Sequence, residues 1–190
     1  MEVAKGSLIC TSDRDIRDRL KGDLRSNKNN IKVINELDIN GAIADIAVID
    51  KDYFCGYEIK SDRDTLKRLP GQIQIYNYVF DKITIVVGKS KALKVSGIIP
   101  EFWGLIVARN EDNGIILTEI REPKLNKNIN KHWLAKKLWR SDIVDILKGL
   151  NLYKGKSGFY KHALLEILME KISLNELRSY IRNILTNRVY

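Results

Sequence analysis

Residues 31–60 read IKVINELDINGAIADIAVIDKDYFCGYEIK, and the two turns inside this stretch decide the fold. The β-branched run from Ile31 to Ile39 stops at Asn40-Gly41, the dipeptide preferred in two-residue type I′ hairpins, where both central residues need a positive φ. A second run, Ala42 to Asp50, stops at Lys51-Asp52, and Tyr53 to Lys60 resumes the strand pattern. A three-strand meander is predicted. Two-residue loops fix register: counting back from Ile39 opposite Ala42 sets Glu36 opposite Asp45, and counting back from Asp50 opposite Tyr53 sets Glu58 on the other side of Asp45. Lys60, two residues beyond Glu58, shares its face. Directly opposed side chains hold their Cβ atoms about 4.5–5.5 Å apart, where like charges repel, so three carboxylates in a row need counter-charge. Lys60 supplies one, and a divalent cation would supply the rest, since Mg²⁺ is held by one or two carboxylates together with water and phosphate oxygens. Ile43, Ala47, Ile49 and Phe54 are expected on the same face, which makes it a covered surface. The alternative is the solvated polar face that antiparallel sheets often have, and a bulge at Lys51-Asp52 would turn Glu58 to the opposite face.

The flanking sequence places helices around this meander. Thr11 or Ser12 can cap a helix over Asp13 to Arg25, with Ile16, Leu20 and Leu24 on one stripe. After Lys60, Ser61-x-x-Asp64 reads as a capping-box variant, and Leu66, Leu69, Ile73, Tyr76 and Phe80 recur at helical spacing, with Pro70-Gly71 expected to kink or split the helix. Gln72 and Tyr76, four residues apart, share a face; a capping amide and a core tyrosine are the plain alternative. The continuous apolar run within Lys82–Gly88 suits a central buried strand, and Gly104–Ala108 with Ile115–Ile120 would pair around Asp112-Asn113-Gly114.

The chain has 190 residues and a formal charge of +9, unevenly placed. Residues 1–120 carry 18 Lys+Arg and 18 Asp+Glu, whereas 121–190 carry 15 and 6, so the whole excess lies in the last third. Strand patterning also gives way to helical periodicity there, which suggests a core over 1–120 and a basic helical subdomain over 121–190. Helices are expected near Lys131–Trp139, Ser141–Gly149, Ser157–Ile172 and Ser173–Leu185, the last opened by a Ser173-x-x-Glu176 capping box. Lys131, Lys136, Lys137 and Arg140 lie beside Trp133 and Trp139, a combination suited to phosphate contact and base stacking; solvated charge on helices with core tryptophans is the plain alternative. Two cysteines, Cys10 and Cys55, suggest neither a disulfide framework nor a zinc site. No apolar run approaches membrane-spanning length, and Met1 to Gly6 lacks a signal-peptide core, so a cytoplasmic protein without membrane contact is the expectation.

Asp45 followed by Glu58-Ile59-Lys60 resembles the PD-(D/E)xK nuclease superfamily, in which an acid on one strand precedes an acid-x-Lys on the next. Gly56 to Pro70, followed by Gln72 and Tyr76, is similar to a family of small bacterial and phage proteins assigned to that superfamily, and the likeness runs from about Asp15 to about Trp103. The residue before Asp45 is Ala44 where the superfamily name has proline. The resemblance implies an α/β fold with a restriction-endonuclease-like αβββαβ core and mixed central sheet. It also implies a Mg²⁺- or Mn²⁺-dependent deoxyribonuclease. In that reading Asp45, Glu58 and the Ile59 carbonyl hold metal, Lys60 positions or activates water, and Gln72 and Tyr76 orient Lys60 or hold phosphate. Register adds Glu36 as a further metal ligand, with Asp15 and Asp18 of the first helix as alternatives. Arg63, Lys67 and Arg68 could extend the phosphate track. DNA is the expected partner, with self-association as a homodimer left open. Two other readings stand beside this one: a non-catalytic nucleic-acid-binding or adaptor protein of a phage or mobile-element system on the same fold, and a protein–protein module using the C-terminal helices.

Overall fold

The computed structural model describes residues 10–27 and 30–189; the stretch Met1 to Gly6 read above lies outside them. Its centre is a six-stranded mixed sheet in the sequential order β1 (Lys32–Ile39), β2 (Ala42–Ile49), β3 (Phe54–Lys60), β4 (Lys82–Gly88), β5 (Gly104–Glu111), β6 (Gly114–Arg121). β1 to β3 form the antiparallel meander, β3, β4 and β5 run parallel, and β6 returns antiparallel. Asn40 and Gly41 take φ of 51° and 110°, the type I′ requirement. At the second turn Asp50 Oδ1 accepts from the amides of Asp52 (2.8 Å) and Tyr53 (2.7 Å), so the loop keeps two residues and no bulge shifts Glu58.

One face of the sheet is covered by α1 (Asp13–Asn27). Ser12 Oγ accepts from the Asp15 amide at 3.2 Å, capping the helix. Ile16, Leu20 and Leu24 are buried against Ile46, Val48, Cys55, Ile59 and Val86, and each such side chain contributes about 1.5–3 kcal/mol relative to exposure. The opposite face is covered by α2 (Leu69–Asn77) and by four C-terminal helices: α4 (Lys131–Ala135), α5 (Arg140–Gly149), α6 (Lys161–Lys171) and α7 (Leu174–Asn187). A 3₁₀ turn at Lys89–Lys91 and a short α3 (Ala92–Ser96) lead from β4 toward β5. The expected capping box forms at α7, with Ser173 Oγ accepting from Glu176 N at 3.2 Å and Glu176 Oε2 from Ser173 N at 2.6 Å. Pro70 does not kink α2. It lies in the first turn, where its missing N–H has no helical partner to lose; Ser61 and Asp64 do bond (2.7 and 2.6 Å), but they close a turn ahead of the helix.

The boundary at 120/121 marks a change of pattern and charge, while the hydrophobic core is continuous across it. Leu134, Ile143, Leu147, Leu168, Leu177 and Ile181 belong to the same buried cluster as Ile83, Ile85 and Phe80. Asp81 ties the two regions by polar contacts: its Oδ2 accepts from Phe54 N at 2.7 Å, and Arg178 and Arg182 of α7 pair with the carboxylate. Cys10 is exposed and Cys55 buried, with no disulfide between them. Among the described residues no helix is long and apolar enough to cross a membrane.

Candidate functional site

A cleft of about 630 Å³ opens where the first two hairpins meet α2, lined among others by Asp13, Glu36, Asp45, Glu58, Ile59, Lys60 and Gln72. The registers count as the turns dictate: Asn35 faces Ile46 and Leu37 faces Ala44 in one hairpin, and Ile46 faces Tyr57 in the next. The pair between the first two matches, Glu36 with Asp45, is absent from the ladder. Glu36 takes a φ of 52°, a left-handed conformation that takes it out of the pleat. The facing of both strands inverts there, because Ile34 and Ala47 enter the main core, and so do Leu37 and Ala44, three residues along each strand. Register was set by the turns; facing was reset by one residue.

Glu36 therefore stands exposed on the cleft wall, and the expected row of three opposed carboxylates does not form. Among the described residues no three His, Cys, Asp or Glu side chains are grouped to hold an ion by themselves. Ile43, expected to cover the acids, is 57% exposed at the cleft. Of the first-helix alternatives, Asp15 bonds to Ser12 and Asp18 pairs with Arg14 and Lys21 on the surface. The cleft residue from this helix is Asp13 instead.

Glu58 and Lys60 are 1% and 5% exposed, and their side chains form a buried ion pair. Gln72 Nε2 donates to Glu58 Oε1 at 2.6 Å, so Gln72 and Tyr76 hold Glu58 rather than Lys60. The Tyr76 hydroxyl lies 2.7 Å from both Glu58 Oε2 and the Ile43 carbonyl. One phenolic proton cannot serve two acceptors at once, so the hydroxyl is shared between the Glu58 carboxylate and the Ile43 carbonyl. Beneath them Tyr76 stacks on Trp103 at 6.2 Å between ring centres, and Phe80 closes on Phe54 and Tyr76. Gly56 is required here, because a Cβ would lie 2.5 Å from the Phe80 ring.

Asp45 is held from both sides. Its Oδ2 accepts from the Ile59 amide at 2.7 Å, where β2 and β3 have stopped pairing. From α1, Arg17 donates to Asp45 Oδ1 at 2.9 Å and to the Asp45 carbonyl at 2.8 Å, and Arg17 also pairs with Asp13 at 3.1 Å. The sequence reading missed Arg17. Its only signal was an arginine one position after Ile16 on the helix, beside the buried stripe.

Burial raises the pKa of both acids. For Glu58 the nearby Asp45 charge adds to burial, while the Lys60 ammonium and the Tyr76 hydroxyl oppose it; for Asp45 burial outweighs the Ile59 amide, Arg17 and Lys60. Burial and then Glu58 also push the Tyr76 phenol upward. A carboxyl whose folded pKa is raised contributes stability that is complete below its ordinary value, 4.5 for Glu58, and is lost as pH climbs through the raised one. Glu58→Gln, neutral at every pH, should therefore gain melting temperature relative to the wild type as metal-free samples are taken from acid to neutral pH. A difference that stays flat or shrinks over that range would refute the assignment.

The profile of a family described as Bacteriophage P4 protein cII matches residues 12–190. The chain belongs to that family. Protein cII of Enterobacteria phage P4 is 29% identical over 134 residues, covering 70% of this chain and 50% of the phage protein, so the chain spans about half the length of this relative. A protein of unknown function from Silicibacter pomeroyi overlays with a TM-score of 0.43 at 16% identity, covering 77% of this chain and 93% of that one.

The cations expected to meet nucleic acid divide in this cII-family chain. Lys67 and Arg68 line the cleft, and Arg63 is exposed beside them. In the C-terminal region Lys131 Nζ donates to the carbonyls of Met169 and Ile172, Lys137 Nζ to that of Asp38, and Arg140 to those of Ser157 and Phe159. These three are committed to backbone carbonyls at the end of α6, in β1 beside its turn and in the loop before α6. Burial pushes the Lys137 ammonium below its ordinary range, Asp38 opposes this, and Arg188 and Lys161 add to it. Of the four, Lys136 and Arg140 are exposed, Lys136 lying over the Trp133 ring at 4.1 Å.

Proposed function

We propose that the cleft is the site of a metal-dependent phosphodiesterase acting on DNA, built on a restriction-endonuclease-like core. The observation that carries this reading is the convergence of Asp45, Glu58 and Lys60 in one cleft, with Gln72 and Tyr76 on Glu58. The element order α1, β1, β2, β3, α2, β4 supports the fold assignment. The donor set fits a hard divalent cation: Gln72 Oε1 is buried without a hydrogen-bond partner beside the two carboxylates, and Mg²⁺ needs few protein oxygens, completing its shell with water and phosphate. Asp45 and Glu58 would hold it, with the Ile59 carbonyl and the Gln72 amide oxygen as neutral donors. Bound there, Mg²⁺ or Mn²⁺ supplies charge that polarises a phosphoryl oxygen and lowers the pKa of an attacking water.

The chain's own residues do the remainder. Lys60, which pairs with Glu58, would direct its ammonium toward the phosphate or the attacking water. Lys67 and Arg68 at the cleft lip draw the phosphate backbone in, and Glu36 on the wall is placed to bias cation entry. Arg17 fixes Asp45 by one bond to its carboxylate and one to its backbone carbonyl, so Arg17→Lys, which keeps the charge and loses the fork, should lower Mn²⁺ affinity about 10- to 100-fold, as loss of such supporting bonds does elsewhere. Titration calorimetry reads it, and unchanged affinity would remove Arg17 from the site.

Linear, nicked, branched and single-stranded DNA incubated with Mg²⁺ or Mn²⁺ test the proposal. Cleavage with a metal-induced rise in melting temperature is the expected result. Absence of both overturns it in favour of a non-catalytic nucleic-acid-binding protein. Two observations favour that second reading: Lys60 and Glu58 already neutralise each other, and among the described residues no three metal-ligating side chains are grouped.

A further inference from the structure

Between Asp145 and Glu166 the chain carries Lys148, Lys154, Lys156 and Lys161 and no acidic residue. Inside this interval Phe159 and Tyr160 are 42% and 78% exposed. The His162 ring lies nearly parallel to Tyr160, 6.3 Å between centres and 9° between planes. The loop that presents them is ordered by its own bonds. Arg140 Nη2 donates to the carbonyls of Ser157 (3.0 Å) and Phe159 (3.1 Å), the amides of Lys156 and Phe159 bond back to Tyr153 and Lys156, and Gly155 turns the chain at a φ of 77°. Lys148 lies over the Tyr153 ring at 5.7 Å, backing the loop from α5.

Three flat rings held open to solvent, among cations with no intervening acid, match the chemistry of unstacked bases on a phosphodiester backbone. Bases in a duplex already stack on each other and offer no free face, so the rings select single strands. The loop is also joined to the cleft. Arg140, whose guanidinium holds the loop, follows by three residues Lys137, which donates to the Asp38 carbonyl. Asn40 of the same turn donates to the Trp133 carbonyl at 2.9 Å, and Gly41 and Ile43 line the cleft. We propose that Phe159, Tyr160 and His162, with Lys154 and Lys161, form a stacking platform for single-stranded nucleic acid, whose strand leads over the β1–β2 turn toward the cleft. The direction toward the cleft rests on the nuclease reading; binding at the platform does not.

Fluorescence anisotropy in EDTA, with oligothymidine and a blunt duplex of equal length, tests this without any cleavage. Wild-type protein should prefer the oligothymidine. Phe159→Ala/Tyr160→Ala should weaken oligothymidine binding about tenfold, within the loss seen when a base loses an aromatic partner, leaving the salt dependence unchanged, whereas Tyr160→Phe retains affinity. Lys154→Ala/Lys161→Ala should reduce the salt slope by about 0.7 per cation. Unchanged oligothymidine affinity in the double aromatic variant overturns the proposal, as does an equal loss on the duplex. It is also overturned if light scattering shows wild-type self-association that the aromatic variant lacks, which would make this face an interface between copies. A protein that binds oligothymidine through these residues yet cuts nothing in Mg²⁺ or Mn²⁺ sinks the phosphodiesterase reading alone.

Discussion

Lys60→Ala should lower Mn²⁺-dependent DNA cleavage about a thousandfold, within the 10²–10⁴ range typical for a positioned proton-transfer group. The reason lies in the burial of the pair. Lys60 and Glu58 are almost fully enclosed, so truncation leaves the buried Glu58 carboxylate without its counter-charge. Asp45→Asn should do at least as much damage, since it removes one of only two carboxylates in the donor set while leaving an oxygen for the Ile59 amide. Tyr76→Phe should cost only about 10- to 100-fold, because the phenol supports Glu58 without facing the cleft. Circular dichroism on each variant separates lost chemistry from lost fold. Cleavage at the wild-type rate by Lys60→Ala or Asp45→Asn would end the role assignment.

Asp81→Ala should destabilise the protein by about 3–5 kcal/mol, the range for breaking one side of a buried ion pair. Asp81 is 1% exposed; its loss leaves Arg178 and Arg182 without their carboxylate and strips the Phe54 amide of its acceptor. Asp81→Asn, which retains an acceptor for Phe54, should cost less. Urea denaturation reads both, and a loss below about 1 kcal/mol in the alanine variant would show that α7 is held by apolar packing alone. Because the core runs through residues 121–190, the wild-type transition should be single, with no early melting of the C-terminal helices.

The turns made the pairing legible. Asn40-Gly41 and Lys51-Asp52 each fix a loop length, and loop length fixes which residues face each other. The facing of side chains was not legible at Glu36, because glutamate carries no sign that it will adopt a positive φ; only a neighbouring cleft that tolerates the broken pair makes that conformation affordable. Arg17 stayed hidden for a different reason: α1 announces its apolar stripe, but which polar residue beside that stripe meets the sheet depends on the docking angle of helix on sheet. The commitments of Lys131, Lys137 and Arg140 were equally unreadable, since the carbonyls they satisfy become neighbours only when distant helix ends and turns come together. Gln72 and Tyr76 were legible by spacing and sequence likeness, but their partner, Glu58 rather than Lys60, is decided by the angle at which α2 crosses the strands.

The β1–β2 turn has a mechanical consequence for access to the cleft. A hairpin tip is ordinarily the first part of a sheet to fray, yet this one is anchored at Asn40 to the Trp133 carbonyl and at Asp38 to Lys137. Swinging it aside would break its bonds to α4 and to Lys137 just beyond that helix. The facing wall, residues 62–68 ahead of α2, is largely turns and carries exposed Arg63, Lys67 and Arg68. That wall is pinned too, since the Asp62 carboxylate accepts from Thr11 on one side and Ser90 on the other, so the cleft keeps its width when a ligand enters.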